Sequence, residues 1–340
     1  MVSVANMVID KLSRNFKYLR ISITDKCNYR CSYCMPKDIF GKGHKFLQKN
    51  ELLSYEEIIE VVKTLKDYGL EKVRLTGGEP LLRKNLELLV KGLKKDALID
   101  EIAITTNGSL LDLDKINLLK NNGLSAITIS LDSISNESAN LMNPINNDLS
   151  KVLASIDAAV DVFGIVKINM VVIRGINNHE ILKMVKNFLN KKVELRFIEY
   201  MDVGESNNWN SENVFTSQDT INLIKEHYTI SKVADKKDST SEKWQIDGHP
   251  INIAFISSIS KPFCTNCNRG RLSADGKFYT CLFSDTGYDF SHYLRNDNLS
   301  LEDFFKKIWL ERDDQYSQLR FTKRLVKNKK NKVEMSYIGG

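Results

Sequence analysis

From residue 17 to about 200, short apolar runs alternate with amphipathic stretches of helical length. The runs are Tyr18–Ile23, Val73–Thr76, Ile102–Thr105, Ile127–Leu131, Val166–Ile173 and Leu195–Ile198. Rich in β-branched residues, they predict buried strands. The clearest helix starts after Ser54, with Glu57 placed three residues on as a capping box requires. Its apolar face runs through Ile58, Val61, Val62 and Leu65 to a stop at Gly69. Gly123 and Gly164 likewise end helical patterns ahead of strands. Strands alternating with helices imply a parallel sheet with right-handed crossovers. Six such units predict an α/β chain folded as an incomplete (β/α)6 TIM-like barrel, and periodicity alone leaves an open doubly wound sheet as the alternative.

After about residue 205 the pattern changes. Helical patches at Ser217–His227 and Leu301–Leu310 alternate with strand-like runs at Ile251–Ile256 and Lys277–Leu282, and Ala234–Glu242 is polar and loop-like. The expected division is a barrel over 1–210 and a smaller C-terminal α+β region over 211–340. At 340 residues, 42% hydrophobic and 27% charged, the chain can bury a sizeable core. No run approaches the roughly 18 apolar residues of a membrane span, and the first residues lack a signal-peptide pattern, so a cytoplasmic location is expected. The net charge of +6 and the basic segment 323–332 suit an anionic ligand, although a solvated tail explains the segment as well.

The six cysteines change the picture most. They form two triplets, Cys27, Cys31, Cys34 and Cys264, Cys267, Cys281, with none between. Two tight triplets read as two metal sites, each one ligand short. The first has spacing x3 then x2 directly after the first strand, which suits three irons of a [4Fe–4S] cluster with the fourth left open. Zinc prefers paired cysteines and four ligands, and no histidine lies nearer in sequence than His44. For the second triplet a zinc site completed by His249 or His292 stays open, as does an electron-transfer cluster. Between its cysteines Arg269 and Arg271 stand at i and i+2, so on an extended segment they face one side, as phosphate recognition would use.

The CxxxCxxC triplet with Tyr33 before its last cysteine resembles the radical S-adenosylmethionine superfamily, and Thr76-Gly77-Gly78-Glu79-Pro80 extends the likeness. A glycine pair permits close backbone approach to a ligand. Cys264-x2-Cys267-x-Arg269-x-Arg271-Leu272, spaced to Cys281, resembles the GTP 3′,8-cyclase family of molybdenum cofactor biosynthesis. So do Leu19–Asn28, Arg196–Met201 and the terminal Gly339-Gly340. The resemblance implies two [4Fe–4S] clusters and S-adenosylmethionine, whose 5′-deoxyadenosyl radical takes the 3′ hydrogen of GTP. The carbon radical then closes on C8 to give 3′,8-cyclo-7,8-dihydro-GTP. It implies Arg20, Arg269, Arg271, Gly339 and Gly340 as catalytic, and Tyr33, Gly78, Glu79, Ser130 and Met201 as S-adenosylmethionine contacts. The implied GTP contacts are Arg20, Arg74, Thr105, Lys167, Asn169, Arg196, Arg269 and Arg271, gathered at the barrel mouth in place of a P-loop. A homodimer, an electron donor and a downstream cyclic pyranopterin monophosphate synthase are implied partners; nucleic acid is not. The stretch Ala234–Trp244 departs from the family and is expected to be a surface loop only.

Overall fold

The computed structural model describes residues 7–145, 148–234, 240–321 and 332–339. Six βα units come first. Their strands are β1 (Tyr18–Ser22), β2 (Lys72–Thr76), β3 (Glu101–Thr106), β4 (Ala126–Ser130), β5 (Val166–Val172) and β6 (Val193–Glu199). Between and after them come α1 (Tyr55–Lys66), α2 (Leu86–Lys95), α3 (Leu113–Asn121), α4 (Asn136–Met142), α5 (Leu149–Phe163) and α6 (Ile181–Phe188). The capping box predicted for α1 is formed: Glu57 N donates to Ser54 Oγ at 3.1 Å and Ser54 N to Glu57 Oε2 at 2.7 Å. Such a cap stabilises a helix by about 1 kcal/mol.

The later residues do not stand apart from this sheet. They supply α7 (Ser217–Lys225), β7 (Ile230–Lys232), β8 (Glu242–Ile246), β9 (Asn252–Ile256), β10 (Arg269–Leu272), β11 (Lys277–Tyr279) and β12 (Tyr288–Asp289). Helices α8 (Phe290–Leu294), α9 (Leu301–Glu311), α10 (Tyr316–Leu319) and α11 (Met335–Ile338) follow. Among the described residues one sheet runs in the order β12-β11-β10-β1-β2-β3-β4-β5-β6-β9-β8-β7. Strand β10 pairs parallel with β1, and β9 parallel with β6, so the C-terminal strands extend the barrel sheet at both ends. The sheet curls but stays open.

Each strand of the barrel presents two chemically different faces, because side chains alternate with period two. Outward-facing Leu19, Ile21, Val73, Leu75, Ile102, Ile104, Ile168 and Leu195 are fully buried against the helices. The alternate positions, inside the curl, are polar. Register places Arg271, Arg20 and Arg74 side by side on β10, β1 and β2, with Arg269, Tyr18 and Lys72 as the next row. A polar inner face cannot pack as a dry core, so the barrel encloses a cavity.

No helix among the described residues is long and apolar enough to cross a membrane. Gly340 and most of the basic segment 323–332 lie outside the described residues, so the expectations for them are not addressed structurally.

Candidate functional site

The enclosed cavity has a volume of about 670 Å³, within the usual range for small-molecule sites of roughly 300–1,000 Å³. All six cysteines line it. The chain direction puts the two triplets at opposite ends. Cys27, Cys31 and Cys34 follow the C-terminal end of β1, whereas Cys264 and Cys267 precede the N-terminal end of the parallel strand β10. Cys281 follows β11, which is antiparallel to β10 and returns to the same end.

At the first triplet, Cys34 N and Met35 N both donate to Cys31 O, at 3.0 and 2.9 Å, turning the sulfurs inward. Burial pushes Cys27 up to about 11 and raises Cys31 and Cys34 further. Bare thiols here are therefore protonated at neutral pH, and a bound cationic cluster is what makes them thiolates. The adjoining turn is tied to the cysteine loop by its backbone: Gly78 N donates to Thr24 O at 2.7 Å, and Glu79 N to Lys26 O at 2.8 Å. A Cβ at Gly77 would stand 2.3 Å from Thr24 O, and one at Gly78 only 2.2 Å from Lys26 O. The glycine pair is thus required by the approach of one backbone to another, a reason the sequence reading did not contain.

The other candidates for this end also line the cavity: Tyr33, Ser130 and Met201. Tyr33 donates to Asp132 Oδ2 at 2.9 Å, which fixes its ring at the end of β4. Burial raises Asp132 to about 6 and Glu79 to about 7. Glu79 accepts from Thr106 Oγ1 at 2.7 Å, Asn107 N at 2.8 Å and Leu81 N at 3.0 Å, so its carboxylate joins the β2 and β3 turns. Glu199, within the Arg196–Met201 segment that carries the family resemblance, accepts from Ser217 N, Ile259 N, Ser260 N and the Ser260 hydroxyl. It pins β6 to the C-terminal loops.

The phosphate candidates occupy the strands themselves, in the cavity's interior and not at its mouth as the sequence suggested. Arg20, Arg74, Thr105, Lys167, Asn169, Arg196, Arg269 and Arg271 all line it. Arg74 Nη1 donates to Thr105 Oγ1 at 3.0 Å and Thr128 Oγ1 at 2.8 Å, and its Nε donates to the Tyr18 hydroxyl. Arg196 pairs with Glu194 at 2.5 Å. Burial and the neighbouring guanidiniums hold Arg20 well below its ordinary value, with Tyr18 opposing. Burial lowers Lys167 to about 8 and Arg271 to about 10. Among the described residues, Arg20 Nε, Asn169 Oδ1 and Arg269 Nε are buried with no hydrogen-bond partner. Like charges crowded together with unused donors describe a site built for a polyanion.

Sequence reasoning missed Tyr18 and Lys72. Both line the cavity in register with Arg269, and the period-two spacing 18/20 and 72/74 was the available signal. Burial would raise the Tyr18 phenol, but Arg74, Arg20 and Arg269 together pull it down to about 7. Of the stretch Ala234–Trp244, residues 235–239 lie outside the described residues, and 240–244 are more than a surface loop. Thr240 accepts a hydrogen bond from Arg269 Nη2, Lys243 pairs with Glu194 at 3.0 Å, and Thr240, Ser241 and Lys243 line the cavity.

The tail reaches inward too. Helix α11 packs against β1, Gly339 is buried at φ +74°, and its carbonyl accepts a hydrogen bond from Arg271. A Cβ at Gly339 would lie 2.6 Å from Thr76 Cγ2.

At the second triplet, burial raises Cys281 to about 12. Cys267 is held below the ordinary thiol because Arg312 and Arg269 outweigh burial. The histidines weighed as zinc ligands are elsewhere: His249 pairs with Asn190 Oδ1 at 3.1 Å and His292 lies in α8, neither lining the cavity. No three of His, Cys, Asp and Glu among the described residues converge as ligands of one metal ion.

A family model for the radical SAM superfamily matches residues 21–188, and one for Molybdenum Cofactor Synthesis C matches residues 193–318. The chain is 44% identical over 340 residues to a protein of Staphylococcus epidermidis named GTP 3′,8-cyclase, covering 98% of this chain and 99% of that one. It is 45% identical over 335 residues to the Aquifex aeolicus protein of the same name, covering 98% and 100%. Among solved structures, Streptococcus suis SuiB bound to S-adenosylmethionine superposes with a TM-score of 0.62 at 14% identity, over 90% of this chain and 68% of that one. That likeness is one of fold.

Proposed function

Because the chain belongs to the GTP 3′,8-cyclase family of the radical SAM superfamily, we propose that its cavity converts GTP to 3′,8-cyclo-7,8-dihydro-GTP, the first step of molybdenum cofactor biosynthesis. The observation that carries this reading is the joint lining of one cavity by two cysteine triplets and a row of interior arginines.

Cys27, Cys31 and Cys34 would hold a [4Fe–4S] cluster, and Cys264, Cys267 and Cys281 a second. The first cluster with S-adenosylmethionine supplies a 5′-deoxyadenosyl radical able to abstract the 3′ hydrogen of GTP. This chain's own residues do the rest. Tyr33, Gly78, Glu79, Ser130 and Met201 surround the S-adenosylmethionine end, where buried carboxyls suit a cationic sulfonium. Arg20, Arg74, Lys167, Arg196 and Arg269 bind the polyphosphate, and Thr105 and Asn169 add neutral contacts. Arg271 holds the Gly339 carbonyl while facing the same space, so the tail and the substrate are positioned together. The product would pass to a cyclic pyranopterin monophosphate synthase, electrons would come from an external donor, and the enzyme would act as a homodimer.

The test is an anaerobic assay of the reconstituted protein with GTP, S-adenosylmethionine and dithionite, followed by mass spectrometry. GTP-dependent formation of both 5′-deoxyadenosine and cyclised GTP is expected. Deoxyadenosine without any change in GTP would overturn the substrate assignment.

A further inference from the structure

Behind the second triplet lies a buried ionic group that takes no part in the cavity lining. Asp10, Arg14 and Arg312 are each 5% exposed or less. Asp10 Oδ1 accepts from Leu12 N and Arg14 N, both at 2.9 Å, which closes a tight turn whose Ser13 sits at φ +60°. Its Oδ2 is shared by two guanidiniums, Arg14 Nε at 2.6 Å and Arg312 Nη1 at 3.0 Å. What these arginines do with their remaining donors is specific. Arg14 Nη1 donates to Cys264 O at 2.8 Å. Arg312 Nη1 donates to Cys267 O at 2.8 Å, and Nε to Thr280 O, one residue before Cys281, at 3.2 Å. Each of the three cysteine-bearing segments is therefore gripped by its own backbone carbonyl.

We infer that Arg14 and Arg312, locked together on Asp10, are positioning residues that set the placement of Cys264, Cys267 and Cys281 and the ease of reducing a cluster bound there. This rests on the proposed second cluster. Two facts separate the assignment from a plain structural staple. First, two buried guanidiniums converge on the Asp10 carboxylate, with the partly exposed Asp314 as a second partner for Arg312 alone, an arrangement that costs more than apolar packing would; among the described residues Arg14 Nη2 is buried with no partner. Second, Arg312 holds the Cys267 and Thr280 carbonyls, which sets its charge beside the cysteine loop, and cationic donors near a thiolate-bound cluster stabilise its more negative, reduced form. The partners that fix metal ligands typically matter about 10–100-fold in metal affinity.

The experiment uses the full chain with Cys27, Cys31 and Cys34 replaced by Ala, so that the second triplet alone reports. The protein is reconstituted anaerobically with iron and sulfide. Iron per chain, the electron paramagnetic resonance spectrum of the reduced form and the midpoint potential are read alongside thermal melting. Arg312→Gln is expected to lower the potential and alter the spectrum. Asp10→Asn, which takes the shared carboxylate from both arginines and leaves Arg312 with Asp314, is expected to weaken iron retention by about tenfold or more. Arg312→Lys keeps the charge without the fork, so it should recover the potential but not the occupancy. Should Arg312→Gln fail to fold, Arg312→Lys and Asp10→Asn carry the test. Folded variants with the parent's iron content, spectrum and potential would overturn the inference alone. A parent that binds no iron through its remaining cysteines would overturn the second cluster and the inference together.

Discussion

The two ends of the cavity use the same ligand type, three cysteines, in opposite electrostatic company. Around the first triplet the buried groups are the carboxyls of Glu79 and Asp132, with Arg30 donating to the Cys27 carbonyl, and burial raises its thiols. Around the second Arg269 and Arg312 pull Cys267 down, while Asp314 adds to the rise of Cys281. On the proposed function a cation would suit the first end and a polyanion the second. The cavity would then sort two ligands by charge along its length, without a P-loop. The ordering comes from which strand ends carry which residues, because the triplets stand on opposite ends of parallel strands.

The largest effects should come from exchanging one end's failure for the other's. Cys31→Ala should abolish 5′-deoxyadenosine formation, whereas Cys267→Ala should abolish cyclised GTP while leaving some uncoupled deoxyadenosine; mass spectrometry of both products separates them. Equal loss of both products in the two variants would break the comparison. Next come the interior arginines. Arg20→Ala and Arg269→Ala should each lower kcat/KM for GTP by about 10–100-fold, since a charge-assisted hydrogen bond contributes about 1.5–3 kcal/mol, and leave S-adenosylmethionine affinity unchanged. Smaller and purely local is Gly77→Ala. The added methyl meets Thr24 O at 2.3 Å and φ is +142°, so about 1–3 kcal/mol of stability should be lost in thermal melting, with iron lost from the first site before the second.

The subtlest effect is one of pH. The Tyr18 phenol sits at about 7, below its ordinary 10, because Arg74, Arg20 and Arg269 outweigh burial. A polyphosphate that engages those arginines restores the phenol towards its ordinary value, so GTP binding takes up a proton. GTP affinity, read by calorimetry, should therefore fall as pH rises through about 7, and Tyr18→Phe should flatten that slope. By the same linkage the depressed phenol adds stability that grows as pH rises from about 7 towards 10 and is absent below about 7.

Much of this was legible in the chain. Apolar runs located the six barrel strands, Ser54 and Glu57 located a helix start, and the cysteine spacings located both triplets. The family resemblance put Arg20 and Arg271 in one site, but the long-range register that makes them neighbours was not legible. Arg20 and Arg271 are 251 positions apart in sequence, yet the parallel pairing of β1 and β10 makes them neighbours. Lys72 and Tyr18 joined them by the same pairing, and nothing local marks either as inward-facing beyond period-two spacing. Asp10, Arg14 and Arg312 look like ordinary surface charges in sequence, because their shared burial depends on where β10 and α9 come to rest. A second demand on Gly77 and Gly78 escaped for a related reason: besides any ligand, they make room for backbone, whose sequence carries no sign of the approach.

The pairing of β1 with β10 also fixes an order of events as the chain is made. The first triplet and its glycine turn are encoded within the first 80 residues, and β2 can cover one side of β1 almost at once. The other side of β1 waits for residues 269–272. Until they arrive, β1 is an edge strand with open backbone donors and acceptors, a template for pairing with the wrong chain. During synthesis the first triplet's cysteines therefore sit beside an edge that stays open, and it is the arrival of the second triplet's own strand that covers it.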